Sequence, residues 1–179
     1  MKSVRRIAAA LACALALAAC GGPQTRANDV RLGIALEPPN LDPTSGAAAA
    51  TDEIVYANVF EGLTRIGAHG EVLPALAERW DISPDRLTYI FHLHEGVRFH
   101  DGTVCDAADV KFSLDRARAP ESTNAQKGLF EPIAAVEIVD PLTVKVTLTR
   151  PAGDFLFNMG WGDAVIVAPE SAATNAVKP

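Results

Sequence analysis

Side chains able to do chemistry are sparse in this sequence, and their spacing narrows what they could do. His92 and His94 stand two apart, so on a strand both would project from one face, the geometry of half a metal site. His100 and Asp101 follow within seven residues. A metal centre is nonetheless not expected. Alternate spacing alone does not build a ligand set, and His100-Asp101-Gly102 is already a complete turn signal. Asp101 and Asp109 could serve as a general acid and base only inside a cleft that perturbs them. G-x-S-x-G, P-loop, C-x-x-C and H-E-x-x-H motifs are all missing, so no catalytic residue, metal or cofactor is assigned. The aromatic with most to offer is Trp161. Gly160 and Gly162 flank it, leaving room for a large ring where backbone passes closely, either at a cleft edge or in the core.

These residues must be held by the elements around them. The order Leu87 to Leu93 alternates, with Leu87, Tyr89, Phe91 and Leu93 on one face and Thr88, Ile90 and His92 on the other, which predicts a half-buried strand. Ser83-Pro84-Asp85-Arg86 before it reads as a turn with proline at its second position. Asp106 is placed to cap a helix, with Asp109 three residues on, near the positive end of the helix dipole. Val110 and Leu114 then face inward, Phe112 weakly so, with Lys111, Asp115, Arg116 and Arg118 facing water.

Upstream, Val30 to Leu36 alternates as a strand and runs into Glu37-Pro38-Pro39-Asn40-Leu41-Asp42-Pro43, where three prolines stop helix and central strand alike. Residues 47–61 read as a helix stopped by Gly62. Thr64 to Leu73 reads as a hairpin around Ala68-His69-Gly70, and Pro74 as the start of a short helix leading to Trp80. Downstream, 119–127 is a polar loop and Ile133–Val139 with Leu142–Thr149 form two strands about Asp140-Pro141. A short helix lies within 151–160, and Ala164 to Ala168 is a last apolar strand.

The string A-x-x-W-x-x-S-x-D-x-L-T-Y-x-F-x-L-x-x-G-V-x-F-H-D-G-x-x-x-x-A-x-D-V-x-F-S-L-x-R, from Ala77 to Arg116, resembles the signature block of the family 5 extracellular solute-binding proteins. The E-P-x-x-L-D-P loop matches too. His94 departs from the family's usual Arg or Lys, and Cys105-Asp106 from its usual Leu-Thr. The resemblance implies an α/β fold, the N-terminal part of a two-lobed periplasmic-binding-protein fold (type II, cluster C-like) that is incomplete in this chain. It implies the substrate-binding component of an ABC importer, which captures a peptide-like or other small solute and delivers it to permease subunits. It places the E-P-x-x-L-D-P loop at the mouth of the cleft. Glu37, Pro38 and Asn40, together with Trp161, are therefore the candidate ligand-binding residues. On this pattern residues 30–47 belong to the large lobe, 48–162 form the small subdomain and 163–179 return to the large lobe. Such an N-terminal portion is expected to be poorly stable alone and to bind nothing tightly.

The N-terminus reads as a processing signal. Lys2, Arg5 and Arg6 precede an apolar run from Ile7 to Ala19, too short to span a membrane. It closes on Leu17-Ala18-Ala19-Cys20, which resembles a bacterial lipobox, so Cys20 is the expected lipidation site and residues 21–29 a tether. Of the 3 cysteines, Cys13 lies in the leader and Cys20 carries lipid, leaving Cys105 with no partner for an intramolecular disulfide. A net charge of -6 argues against a nucleic-acid surface. The expected molecule is a monomer held outside the cytoplasm, in the periplasm or at the cell surface, by its lipid. Two other classes fit an anchored envelope protein: a hydrolase or metal-dependent enzyme, and a structural lipoprotein. Turnover of a peptide or ester would single out the first.

Overall fold

The computed structural model describes residues 33–45 and 48–172, and Cys20 and most of the proposed first strand lie outside them. Gly33 and Ile34 fall in a separate unit, residues 1–34; everything described below belongs to the unit from Ala35 onward.

The period-two pattern builds what it promised. Strand β4 (Thr88–Leu93) is the centre of a four-stranded antiparallel sheet. Its odd residues Tyr89, Phe91 and Leu93 are buried and its even residues only partly so. In sequence order the sheet also contains β3 (Ala77–Ile82), β5 (Ile133–Asp140) and β6 (Thr143–Leu148), arranged β3-β4-β6-β5. Phe91 pairs with Trp80 on one side and Val144 on the other, which fixes the register of β3, β4 and β6. Separately, β1 (Thr64–Ile66) and β2 (Val72–Pro74) form the small hairpin about residues 68–70. Proline at the end of β2 does not start a helix: residues 77–82 are β3, because their backbone pairs with β4 from Ala77 to Ile82, with a bulge at Glu78.

Helix α1 (Ala49–Val55) is shorter than the span 47–61. The chain leaves it at Tyr56, and Ala57 takes φ 57°, which no right-handed helix can absorb. Gly62 is therefore not a helix stop. A Cβ there would stand 2.5 Å from the carbonyl oxygen of Met159, so glycine lets two backbone segments touch.

Helix α2 (Ala107–Arg118) begins as read: the Asp106 side chain accepts from backbone N–H groups of the first turn while Asp109 Oδ2 accepts from Asp106 N, a reciprocal capping box. Val110, Leu114 and Ala117 bury against the sheet. Phe112 turns the other way, to a second apolar cluster of Val55, Phe60, Val165 and Val167. The helix is thus apolar on two sides, and its charged residues are partly buried rather than free. Lys111 and Arg118 both bind Asp115, and Arg118 also reaches the carbonyls of Ile133 and Ala134.

The four-residue helix α3 (Phe155–Asn158) drops Phe155 onto the sheet, its ring centroid 4.7 Å from Tyr89. Residues 165–168 are buried but form no ladder. An apolar run alone does not make a strand; here the backbone groups of Ile166 and Val167 find partners one at a time. Ile166 N donates to Glu61 O, and the Ser113 hydroxyl both donates to Val167 O and accepts from Val167 N. Likewise Ala35 and Leu36, the end of the proposed first strand that falls in this unit, join no ladder among the described residues, and Leu36 is 69% exposed.

Candidate functional site

The loop from Glu37 to Ser45 folds on its own side chains. Asn40 Oδ1 accepts from Asp42 N at 2.9 Å, and Asp42 Oδ1 accepts from both the backbone N–H and the hydroxyl of Thr44 at 2.8 Å. These are Asx turns, in which a short carboxamide or carboxylate replaces the backbone acceptor. Arg116, the last residue of the Ala77–Arg116 motif, donates to the Thr44 hydroxyl at 3.2 Å. Asp42 and Pro43 are buried, so they anchor the loop, while Glu37 and Asn40 are exposed and Pro38 half-buried.

Trp161 is not a core residue. It is 40% exposed and touches Phe157 edge-on, with ring centroids 6.3 Å apart. The turn beneath it is pinned by backbone bonds: Trp161 N donates to Asn158 O and Ala164 N donates to Trp161 O.

The short helix α1 ties the two pieces together. At its start Thr51 donates its hydroxyl to Asn40 O at 3.1 Å, holding the loop. At its end the Tyr56 hydroxyl donates to Gly160 O, holding the tryptophan turn. Between them the Asp52 carboxylate lies against Gly162, where a Cβ would meet its Oδ1 at 2.7 Å. The helix and the residue that ends it thus hold the Asn40 loop and the Trp161 turn through Thr51, Asp52 and Tyr56. None of the three was singled out as functional from sequence, and no local signal reports a contact between residues 56 and 160.

The titratable groups here sit in poor solvent. Burial pushes the Tyr56 phenol up, and the nearby Glu61 charge adds to this while Arg65 opposes it, so the phenol stays a neutral donor. Asp163 is 5% exposed; burial first, and then the charge of Asp52, push its carboxyl up to about 6. Asp52 is raised by burial.

The other chemical candidates are engaged in structure. His92 Nε2 lies 2.9 Å from Asp81 across the β3–β4 pair, whereas His94 projects beside Glu78 at 3.8 Å. Asp101 Oδ1 accepts from the Thr103 hydroxyl and backbone N–H, which holds its carboxyl below the usual range, and Gly102 completes the turn at φ 89°. Asp109 belongs to the cap. No group of three metal-ligating side chains comes together among the described residues. Cys105 is buried, and burial, followed by the charges of Asp109, Asp106 and Glu61, pushes its thiol up to about 12.

A separate concavity of about 600 Å³ opens between the 57–61 turn, the 97–101 loop and residues 166–168. Phe60, Leu76 and Ile166 give it apolar walls; Glu61, Arg98 and His100 give it a polar edge. It contains none of Glu37, Pro38, Asn40 and Trp161.

Comparison with known proteins gives this geometry its context. The family model described as "Bacterial extracellular solute-binding proteins, family 5 Middle" matches residues 71–178, more than half of the chain. The chain belongs to this family. Glutathione-binding protein GsiB of Pectobacterium atrosepticum is 35% identical over 159 residues, covering 89% of this chain and 31% of that protein. Among solved structures, the PBP AgaA in complex with agropinic acid, from A.tumefacien R10, shares 33% identity. It has a TM-score of 0.72 over 78% of this chain and 28% of that one. NikZ from Campylobacter jejuni, in complex with Ni(L-His), shares 32% identity. Its TM-score is 0.68 over 78% of this chain and 27% of that one. The mixed helix and sheet architecture is therefore that of a periplasmic binding protein. The chain spans under a third of the length of the curated relatives it matches.

Proposed function

We propose that this chain is the substrate-binding component of an ABC importer, capturing a peptide-like or other small solute outside the cytoplasmic membrane and delivering it to the permease. The observation that carries this reading is the family match across residues 71–178, joined by relatives whose names or structures record glutathione, agropinic acid and Ni(L-His). In this reading the protein binds without turnover, acts as a monomer and reaches a membrane through lipid on Cys20, in the periplasm or at the cell surface. Residues 48–162 then form the small subdomain of one lobe, with 30–47 and 163–179 contributed to the large lobe.

The ligand side is the exposed half of the 37–45 loop, Glu37, Pro38 and Asn40, together with Trp161. Two features support it. Prolines and Asx turns set the loop's shape before any ligand arrives, which lowers the ordering cost of binding. Trp161 offers a rigid apolar face from a turn held by α1.

The test is equilibrium calorimetry on the polypeptide as its gene encodes it, using reduced glutathione, a dipeptide, agropinic acid and a nickel–histidine chelate as probes. Product analysis is run on the same samples. Saturable binding of one probe, recovered unchanged, is the expected result. Turnover of a probe, or absence of binding to all four with no solute co-purifying, overturns the reading.

A further inference from the structure

Two carboxylates adjoin the Trp161 turn, and the described chain gives neither of them a cation. Asp52 reaches the turn from α1. Its Oδ1 lies 2.7 Å, and its Oδ2 3.3 Å, from where a Cβ on Gly162 would stand, so glycine lets that carboxylate rest on the backbone next to the tryptophan. Asp163 follows Gly162 in the chain and is buried. The Oδ1 atoms of both are shielded from solvent and have no hydrogen-bond partner among the described residues. No lysine, arginine or histidine forms an ion pair with either carboxyl among the described residues. Buried polar groups are almost always partnered, and one that is not calls for a cause.

The surrounding charges are of the same sign or are engaged elsewhere. Glu53 on α1 and Glu37 on the loop are exposed. Arg65 passes close to Gly160, whose Cβ would stand 3.3 Å from the Arg65 Cα, but its Nε donates to the carbonyl of Pro74 at 3.2 Å. Arg116 donates to the Thr44 hydroxyl on the 37–45 loop. Two neutral donors reach the turn, the Tyr56 hydroxyl and the Asn124 side-chain amide. They bind the backbone carbonyls of Gly160 and Asp163, not the carboxylates.

A positive charge from outside the chain would complement this turn. A divalent metal is a poor fit, because hard cations take about six or more oxygen ligands and no three metal-ligating side chains come together among the described residues. An organic cation fits better. Trp161 is 40% exposed, so ring surface is open, and the face of an indole attracts an ammonium or guanidinium group. Such a group seated on the ring need not touch the carboxylates. Charges separated by low-dielectric protein act on one another more strongly than through water.

We propose that the Trp161 turn selects solutes carrying an organic cation, an ammonium or guanidinium group that stacks on Trp161 within the field of Asp52 and Asp163. This names a substrate class for the ligand side described under the proposed function, and rests on that reading.

The first measurement needs no solute. In Trp80→Phe, where Trp161 is the only tryptophan, quenching by Cs⁺ and by iodide is compared at constant ionic strength, with N-acetyltryptophanamide as the uncharged reference. The Cs⁺-to-iodide quenching ratio should exceed that of the reference at least about twofold and fall toward it when Asp52→Asn or Asp163→Asn is added. Either variant serves if the other folds poorly. A ratio at or below the reference, or one that neither variant changes, overturns the proposal. The second measurement is calorimetry with the dipeptides Ala-Lys and Ala-norleucine, which match in length and differ in charge. Ala-Lys should bind about tenfold tighter, and each Asp→Asn change should lower that preference at least about threefold. Equal affinities, or binding of neither dipeptide, overturn the cationic class. So does binding of Ca²⁺ alone that either variant abolishes, since the carboxylates would then hold a metal. The quenching ratio is read without solute, so failure here and failure of the binding reading are distinguishable.

Discussion

Replacing Ser113 by alanine should destabilise the protein far more than the loss of one hydroxyl suggests. Ser113 is 6% exposed on α2, and its Oγ serves Val167 twice, accepting from the N–H at 2.9 Å and donating to the carbonyl at 3.2 Å. Residues 165–168 lie in no ladder, so nothing else among the described residues takes over that N–H. Val167 is 2% exposed, and water has little access to it. A buried group left unsatisfied costs about 1–3 kcal/mol. With two groups affected and the carbonyl easier to leave than the N–H, the total is about 2–4 kcal/mol. For a chain of this size that corresponds to a fall in Tm of roughly 5–15 °C. Urea unfolding should show the midpoint shift with an unchanged m-value, because the surface exposed on unfolding stays the same. A loss under about 0.5 kcal/mol would refute the reasoning, since the 165–168 segment would then be held by packing alone.

Four further outcomes can be measured. The Cys105 thiol, buried and pushed up to about 12, should stay unreactive toward a disulfide reagent at pH 8 and react fully in denaturant; fast labelling of the native protein would count against its burial. Cys20→Ser should move the protein from the membrane fraction to the soluble one, and unchanged pelleting would remove the lipid anchor from the account. Trp161→Ala should lower stability by less than about 2 kcal/mol, below the ~3–5 kcal/mol of a core aromatic, because the ring is 40% exposed. The same change, alongside Asn40→Ala, should weaken the probe found by calorimetry at least about tenfold; affinity intact in both would dissolve the site.

What the sequence disclosed was local. Alternation over residues 87–93 fixed the central strand, because one face of that strand packs on Phe155 while the other stays half open, and period two records that asymmetry. The Asp106–Asp109 cap and the 99–103 turn were legible because their chemistry closes within a few residues. Errors came where distant partners decide. The stretch from Pro74 to Trp80 lacks alternation and was read as a short helix, yet β4 recruits Ala77–Ile82 as an edge strand. Apolar spacing continued past Val55, but Ala57 breaks the helix so that Tyr56 can reach Gly160, 104 residues away. Trp161 was suspected from its glycines alone. The helix that orients it became visible only with the fold.

The central claim is that α1 presents Asn40 and Trp161 as one ligand-facing surface, and tryptophan emission tests it most directly. The chain has 2 tryptophans, and Trp80 packs partly buried against Phe91, so Trp80→Phe leaves Trp161 as the sole reporter. Titrating that variant with the probe that binds in calorimetry should change Trp161 emission saturably, at the same midpoint, and protect the ring from iodide quenching. Full binding by calorimetry with emission and quenching unchanged would contradict the account, placing the ligand elsewhere on the protein.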